Sequence, residues 1–362
     1  MFYNLPTSLY CESDCILAHA GDIASFGKAA YIITGKSSSK RNGSLDDIVN
    51  VLKKYSIEFK IFDNVEENPS VENVMEAVAY CGDFAPDFVI GIGGGSPLDA
   101  SKAVSLMLAN IGSDSSLLYN GIKADYLPVV TVPTTCGTGS EITPYSVLTN
   151  HIQKTKSSIP HKIYPALALV DPVYLEAAPV NIIRNTAVDA LGHLIESYIH
   201  SKATTLSRMF SEKGLRMWRN ITSYIKNDSF TAKQYEELIL ASAIAGMAIS
   251  HTGTSLPHRM SYHFTYQDSI PHGVAVGAFL AAYIMYSDNN EQKYVLETLG
   301  MSSCDELRNF IRSVTETITI PEADLHDCIE FVISNKSKVA SCPYEVDYEI
   351  VKKMYEYSVI IK

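Results

Sequence analysis

One stretch decides the fold: Phe88-Val-Ile-Gly-Ile-Gly-Gly-Gly-Ser-Pro-Leu-Asp-Ala-Ser-Lys102. It runs from an apolar segment typical of a buried strand, through glycines, into a helix whose first turn contains a proline. Glycines let the backbone approach a phosphate closely, and free N–H groups at a helix start attract anions. The stretch therefore predicts a phosphate site at Gly93, Gly94, Gly95 and Ser96. An ordinary tight turn is the alternative, and the spacing is not that of the GxGxxG fingerprint.

Strand and helix signals alternate on both sides of this stretch. Short apolar runs suit a parallel sheet buried on both faces, and they lie at residues 29–34, 59–62, 87–92, 127–132 and 167–170. Amphipathic helices are indicated between them, with start signals at Ser44 and Ser70. This alternation predicts a doubly wound α/β domain over residues 1–178.

Strand signals fade in the second half of the chain. The patterns predict helices at residues 181–201, 205–226, 231–250, 271–286 and 347–359. The sequence therefore predicts an all-α C-terminal domain over residues 179–362.

Composition narrows the classes of function. The chain has 362 residues, enough for two domains, and its net charge of −11 argues against a nucleic-acid groove or an anionic membrane surface. No secretory signal opens the sequence, and the longest apolar runs, at 238–249 and 274–286, are too short to span a bilayer. The seven cysteines show no paired or zinc-finger spacing, so we expect reduced thiols and a cytoplasmic protein.

A second stretch carries candidate chemistry: Asn185-Thr-Ala-Val-Asp-Ala-Leu-Gly-His-Leu-Ile-Glu196. As a helix it is apolar almost all round, which indicates burial. Asp189 and His193 are four residues apart and therefore share one face. A buried carboxylate requires a partner, so the pair is either a buried hydrogen bond or half of a divalent metal site.

Two histidines downstream are candidates for the other half of that site. His258 lies in Leu256-Pro-His-Arg-Met-Ser-Tyr-His263, and His272 lies in Ser269-Ile-Pro-His-Gly-Val-Ala-Val-Gly277. A lone buried histidine is usually a satisfied core residue. One carboxylate with up to three imidazoles, however, suits Fe²⁺ or Zn²⁺ better than Mg²⁺ or Ca²⁺.

These residues carry a resemblance to a known family. Asp189-x3-His193 and His258-x13-His272, together with Gly93-Gly-Gly-Ser-Pro-Leu-Asp99 and Pro133-Thr-Thr-Cys-Gly-Thr-Gly-Ser-Glu141, resemble the iron-containing alcohol dehydrogenases over nearly the whole chain. The resemblance implies the dehydroquinate synthase-like architecture: an α/β cofactor domain and a helical domain, with the active site in the cleft between them. It also implies that Asp189, His193, His258 and His272 hold the metal.

The resemblance also assigns cofactor contacts. The glycine loop would hold the pyrophosphate, and Asp99 would lie near the nicotinamide end. A second cofactor segment would be formed by Thr134, Thr135 and Thr138, although the run 134–140 also fits an ordinary polar loop. Lys154 or Lys156 would supply a further contact, and the loop length leaves that choice open.

The end of the first predicted strand bears on the choice between NADP and NAD. NAD sites commonly place an acidic side chain there, which binds the ribose 2′-hydroxyl and repels a 2′-phosphate. The corresponding position is Gly35, followed by Lys36, Ser37, Ser38 and Ser39. The sequence therefore favours NADP over NAD, the alternative being a solvated loop with an incidental lysine.

The function expected from these features is a metal-dependent NAD(P)H alcohol dehydrogenase or aldehyde reductase. The resemblance implies short-chain primary alcohols, diols and aldehydes as substrates, and a homodimer. Alternatives are a zinc-dependent polyol oxidoreductase similar to glycerol dehydrogenase, and a non-catalytic nucleotide-binding protein on the same fold.

Tyr262 stands where many members of the family carry a second histidine. An unperturbed phenol has a pKa near 10 and is a weak general acid at neutral pH. We expect Tyr262 to shape the substrate space while the proton arrives through water and the cofactor ribose.

Overall fold

The chain forms two compact units in the computed structural model, which describes residues 4–152 and 154–362. One unit comprises residues 4–179 together with 231–243, and the other comprises 180–230 together with 244–362. The domain boundary at residue 178 stays a prediction.

The first unit is built on a parallel six-stranded sheet with a separate antiparallel hairpin. The strands are β1 (Ser8–Cys11), β2 (Ala29–Gly35), β3 (Glu58–Val65), β4 (Phe88–Gly93), β5 (Val129–Pro133), β6 (Val147–Asn150), β7 (Thr155–Ser158) and β8 (Leu167–Val170). The sheet order is β1-β8-β5-β4-β2-β3, and β6 pairs with β7 as the hairpin. The five apolar runs predicted as strands form β2, β3, β4, β5 and β8, whereas β1 and the hairpin were not expected.

Helices cover both faces of this sheet. They are α1 (Cys15–Ala18), α2 (Ala20–Ala24), α3 (Ser38–Arg41), α4 (Ser44–Lys54), α5 (Val71–Cys81), α6 (Gly95–Ala109) and α7 (Val173–Glu176), with a 3₁₀ turn at Ser115–Leu118. Successive side chains of a strand point to opposite faces, so Ile32 packs in the core with α4 while Tyr31 and Ile33 pack in the core with α5 and α6. The inner strands β2, β4, β5 and β8 are continuous apolar runs because both of their faces are buried.

The register of the parallel sheet aligns the C-terminal ends of β2, β4 and β5. Thr34 of β2 lies opposite Ile92 of β4, and Gly93 of β4 lies opposite Pro133 of β5. The chain goes from β2 outward to β3 and then returns to the other side of β2 for β4. Ligands of open parallel sheets bind beyond the strand ends at such a reversal of strand order.

The second unit is helical. Its helices are α8 (Val180–Ile199), α9 (Thr205–Tyr224), the later part of α10 (Ala232–Thr252), α11 (Leu256–Gln267), α12 (His272–Met285), α13 (Asn289–Leu299), α14 (Cys304–Val314), α15 (Leu325–Ser334), α16 (Lys336–Val339) and α17 (Tyr348–Ser358). A 3₁₀ turn lies at Glu322–Asp324, and two-residue strands β9 (Thr319–Ile320) and β10 (Ile360–Ile361) pair in parallel. Helix α12 is buried along nearly its whole length and packs against α8, α11, α14 and α17. The two units confirm the predicted fold class, apart from this short ladder in the helical half.

Across the described residues, no single helix combines the length and apolar character that a bilayer span requires. The bent pair α10 and α11 satisfies the length and composition criterion when its two helices are taken together.

Candidate active site

Helix α8 presents two of the candidate metal ligands from one buried face. Its residues from Ala187 to Ile199 are all buried, which explains the apolar sequence around the polar pair. Asp189 and His193 are one turn apart, and the Asp189 Oδ1 atom lies 3.9 Å from His193 Nε2.

Helices α11 and α12 bring the other two candidates to the same carboxylate. His258 is the third residue of α11, and its Nε2 atom lies 3.5 Å from Asp189 Oδ1. His272 begins α12, and its Nε2 atom lies 3.7 Å from the same oxygen. The His193 and His258 Nε2 atoms are 2.9 Å apart. The three imidazoles predicted as ligands therefore surround the Oδ1 atom of Asp189, the fourth predicted ligand.

The arrangement fits a divalent ion. Asp189 Oδ1 is buried and has no hydrogen-bond donor among the described residues, although three imidazole nitrogens surround it. One atom each from Asp189, His258 and His272 lies within 4.8 Å of the other two, which is close enough to share one ion. The side chain of His272 is 31% exposed, against 4% for that of His258, so the cluster is open on the side of His272. An open position is what a catalytic metal site requires for its substrate.

The charges of the cluster depend on one another. Burial alone would raise the pKa of Asp189, but the imidazoles of His193, His272 and His258 outweigh it and hold the pKa below its usual range. Burial would lower the pKa of His258, but the carboxylates of Glu196 and Asp189 raise it to about 9. A cation is thus favoured at this carboxylate, whether it is an imidazolium or a metal ion.

Close packing of α8 against α12 makes this geometry possible. A β-carbon on Gly273 would lie 1.7 Å from the carbonyl oxygen of Asn185, and one on Gly277 would lie 2.6 Å from Val188 Cγ1. Gly192 of α8 is equally close to α12, since its β-carbon would meet Val276 Cγ1 at 2.7 Å. These glycines let the first turn of α12, with His272, lie directly against the helix that carries Asp189.

Tyr262 lies beside the open part of the cluster. It follows His258 by one helical turn, and its ring stacks near that of His272, with 6.1 Å between the ring centroids. His263, one residue further along, instead places its ring against Phe264 and Phe331. A step of about 100° around the helix separates these two side chains, as expected from helix geometry.

One residue of this site was missed by the sequence analysis. Glu196 is fully buried on α8, one turn after His193, and its Oε1 atom accepts a hydrogen bond from the backbone N–H of His258 at 3.0 Å. Its Oε2 atom contacts His258 Nδ1. A sequence signal existed, because Glu196 follows Asp189 by seven residues and therefore lies on the same face of α8.

In the α/β unit, the glycine loop joins β4 to α6 as predicted. Gly93 has a φ of +145°, a conformation that favours glycine, and Gly94 caps α6. A β-carbon on Gly94 would lie 3.2 Å from Thr135, and one on Gly95 would lie 2.6 Å from Thr138. The loop thus packs directly against the predicted second cofactor segment.

Thr134 is the first residue of that second segment and directly follows β5. Its backbone N–H donates to the carbonyl oxygen of Gly93 at 2.9 Å, continuing the alignment of β5 with β4. Helix α6 begins with free N–H groups beside these threonines, which is the arrangement used to bind pyrophosphates.

Asp99 ties α6 to the second segment. Its carboxylate accepts hydrogen bonds from the Ser140 hydroxyl and from the backbone N–H of Val147. The buried Lys102 Nζ atom lies 3.7 Å from this carboxylate and donates to Ser140 Oγ and to the carbonyl of Tyr145, each at 2.7 Å. Burial raises the pKa of Asp99 despite these partners.

The two candidate lysines lie in different surroundings. Lys154 is exposed at the turn of the β6–β7 hairpin, where its φ is +49°. Lys156 is buried, and its Nζ atom donates to Asn68 Oδ1 at 2.5 Å. The backbone N–H of Asn68 donates in turn to Ser96 Oγ at 3.0 Å, which links Lys156 to the glycine loop.

The end of β2 lies next to the same loop. A β-carbon on Gly35 would meet Pro97 Cγ at 3.9 Å and the carbonyl oxygen of Val65 at 3.7 Å, both ordinary contacts. Lys36 and Ser37 are exposed, and Ser38 is half-buried at the start of α3. No acidic side chain follows β2 before Arg41.

Comparison with known proteins adds independent findings. The family described as iron-containing alcohol dehydrogenase matches residues 6–172, and the C-terminal family of Fe-containing alcohol dehydrogenases matches residues 183–320. An NADPH-dependent butanol dehydrogenase of Clostridium saccharobutylicum is 27% identical over 91% of each chain. A 1,3-propanediol dehydrogenase of Citrobacter freundii is 30% identical over 72% of this chain and 68% of its own. The solved structure of an iron-containing alcohol dehydrogenase from Thermotoga maritima covers 99% of both chains at 33% identity, with a TM-score of 0.92.

Proposed function

Because the chain belongs to the iron-containing alcohol dehydrogenase family, we propose that it interconverts short-chain primary alcohols or diols with their aldehydes, using NADP(H) and a divalent ion. It is a metal-dependent oxidoreductase of alcohols and aldehydes, and it is similar to proteins named butanol dehydrogenase and 1,3-propanediol dehydrogenase. The observation that carries the proposal is the buried Asp189 Oδ1 atom, which lies within 3.5–3.9 Å of three imidazole Nε2 atoms.

The proposed ligands are Asp189, His193, His258 and His272. A carboxylate with imidazoles suits Fe²⁺ or Zn²⁺, and Zn²⁺ has the higher intrinsic affinity for most such sites. We propose Fe²⁺ as the working ion, with Zn²⁺ able to occupy the same ligands, because the family is defined by iron.

The roles of the chain's own residues follow from their positions. When bound, the divalent ion supplies a Lewis acid and the reduced nicotinamide supplies the hydride. Asp189 contributes the negative charge that balances the ion, and its buried position keeps that charge close. Tyr262, beside His272, lines the space for the carbon chain of the substrate. We propose that the proton comes through water and the cofactor ribose, with no side chain acting as the donor.

We propose that the α/β unit binds the cofactor pyrophosphate on the N–H groups of Gly94, Gly95 and Ser96. Thr134, Thr135 and Thr138 line the other side of the loop, and Asp99 holds the two segments in register. Lys156 is preferred to Lys154 as the further contact, because Lys156 donates to Asn68, whose backbone N–H donates in turn to Ser96 of the glycine loop.

NADP is the proposed cofactor because nothing at the end of β2 repels a 2′-phosphate. Gly35 replaces the acidic side chain typical of NAD sites, and Lys36, Ser37 and Ser38 offer a positive charge and hydroxyls. One relative is named as NADPH-dependent and another, from Clostridium acetobutylicum, as NADH-dependent, so the choice depends on this chain's own residues.

We further propose a cytoplasmic homodimer without a nucleic-acid or membrane partner. The seven cysteines, which all lie among the described residues, form no disulfide with one another, and all but Cys11 are buried, as expected of a reducing compartment. The net charge of −11 disfavours binding to anionic surfaces.

The test is turnover after defined metal loading. The metal-free protein is reconstituted anaerobically with Fe²⁺ or Zn²⁺, and NADPH and NADH oxidation is followed with butanal. We expect activity only with a divalent ion, and a higher kcat/KM for NADPH. Metal and cofactor binding without turnover on butanal or other short aldehydes would instead support a non-catalytic nucleotide-binding protein. Turnover confined to polyols with Zn²⁺ would support the alternative similar to glycerol dehydrogenase.

A further inference from the structure

Glu196 holds His258 at two points. Its Oε1 atom accepts from the backbone N–H of His258 at 3.0 Å, and its Oε2 atom contacts Nδ1 of the same residue. The other ring nitrogen of His258, Nε2, faces Asp189 Oδ1 and His193. One carboxylate therefore fixes both the backbone and the ring of a candidate metal ligand.

The backbone contact takes over the role of a helix cap. Ser255 precedes α11, but its side chain caps no N–H group of the helix, because its hydroxyl is hydrogen-bonded to Ser341 and near Cys342. The N–H of His258, in the first turn, would otherwise lack an acceptor. Glu196 from α8 supplies it, and a carboxylate is favoured at the positive end of the helix.

The ring contact selects a tautomer. When His258 is neutral, as metal ligation requires, a hydrogen on Nδ1 directed at the Glu196 carboxylate leaves the lone pair of Nε2 directed at the cluster. A carboxylate on the outer nitrogen of a metal-ligating histidine fixes its orientation and increases its basicity.

We propose that Glu196 is the positioning residue of the metal centre: it fixes the start of α11 and the Nδ1–H tautomer of His258, so that Nε2 is presented to the ion. This inference rests on the proposed metal site. Glu196 acts through His258 and touches neither the substrate nor the cofactor in this assignment.

The test compares Glu196→Gln with Glu291→Gln. Glutamine can still accept the backbone hydrogen bond, but its amide then offers N–H to Nδ1, which favours a hydrogen on Nε2 and blocks ligation. Glu291→Gln is a matched control in the same unit, because it removes the same charge from Glu291 of α13, which forms an ion pair with Arg208 of α9.

The readouts are the dissociation constant for Co²⁺ and Zn²⁺ by chelator competition and the visible absorption spectrum of the Co²⁺ form. Removing such a partner typically weakens metal binding about 10–100-fold. We expect that loss, with an altered Co²⁺ spectrum, for Glu196→Gln and no change for Glu291→Gln. A structural role alone would lower the melting temperature of the metal-free protein and leave the spectrum of bound Co²⁺ unchanged.

Wild-type affinity and spectrum in a folded Glu196→Gln protein would overturn the inference. If that variant does not fold, Glu196→Asp is measured in its place. Aspartate keeps the charge but is one methylene shorter, so it cannot reach both the backbone N–H and Nδ1 of His258. Wild-type metal affinity in Glu196→Asp would therefore also overturn the inference. Failure of the wild-type protein to bind either metal would instead refute the proposed metal site.

Discussion

At the scale of single residues, the site depends on a buried charge that would destabilise the protein elsewhere. Asp189 is a buried carboxylate whose Oδ1 has no donor among the described residues, and such a group is destabilising unless a cation compensates it. Gly35, by contrast, contributes through what it lacks, because it has no negative charge at a position where NAD sites commonly carry an acidic side chain. Each position makes a specific prediction possible.

Tyr262→Phe tests the route of the proton. We expect a loss in kcat below roughly tenfold, because a positioned general acid is typically worth roughly 10²–10⁴-fold and Tyr262 is assigned a lining role. The measurement is steady-state kinetics with metal content confirmed. His263→Gln is the control, since the His263 ring packs against Phe331 away from the cluster. A hundredfold loss with intact metal would make Tyr262 the proton donor.

Gly35→Asp tests the cofactor assignment. A carboxylate there would face a 2′-phosphate, and a close like-charge contact at a partly solvated site costs on the order of a few kcal/mol. We expect the ratio of kcat/KM for NADPH over NADH to fall by at least tenfold. Gly35→Ala separates size from charge, because the β-carbon meets only ordinary contacts. An unchanged ratio in the aspartate variant would place the adenosine end elsewhere.

At the scale of secondary-structure elements, two pairs of segments pack closely enough to position the candidate site residues. The glycine loop at the start of α6 packs on the threonines of the second segment, and the first turn of α12 packs on α8. Both approaches use glycines, because a β-carbon on Gly95, Gly273 or Gly277 would lie 2.6 Å or less from a neighbouring atom. The packing of α12 on α8 thus explains the glycine that follows His272.

Gly273→Ala tests that explanation. The new methyl group would meet the backbone oxygen of Asn185, which cannot rotate away, so α12 must shift from α8 and carry His272 with it. Such overpacking typically costs about 1–3 kcal/mol. We expect a lower melting temperature and at least tenfold weaker metal binding.

Gly21→Ala on α2 is the control for that variant. Its β-carbon would meet only the Tyr55 hydroxyl, at 3.9 Å, so we expect no loss of either property. Full metal affinity in Gly273→Ala would show that the close approach of α12 does not position His272.

At the scale of the whole molecule, local patterns predicted the fold class but not its topology. The fully buried strands are continuous apolar runs, and the buried helices of the second unit have sustained apolar character, so both were visible in the sequence. Strand β1 was not, because it is a short, mixed edge strand that depends on pairing with β8. The grouping of residues 231–243 with the α/β unit also depends on contacts distant in sequence.

The candidate site, like the fold, could be predicted only in part from the sequence. Spacing on α8 predicted that Asp189 and His193 share a face. His258 and His272 were candidates from their own segments, and the resemblance implied that all four residues hold the metal. The role of Glu196 could not be predicted, because it depends on where α11 begins relative to α8. The surroundings of Lys154 and Lys156 depend likewise on the turn of the β6–β7 hairpin, whose strands were not expected.

Metal analysis of His258→Ala beside the wild-type protein tests the central claim most directly. Removing this imidazole takes away one ligand and leaves the Asp189 and Glu196 carboxylates buried with one cation fewer. After anaerobic reconstitution with Fe²⁺ and gel filtration, we predict stoichiometric iron and aldehyde reduction in the wild-type protein. The variant should be folded, contain far less than stoichiometric iron and show no turnover. Stoichiometric iron in His258→Ala would contradict the account, because His258 would then not be a ligand.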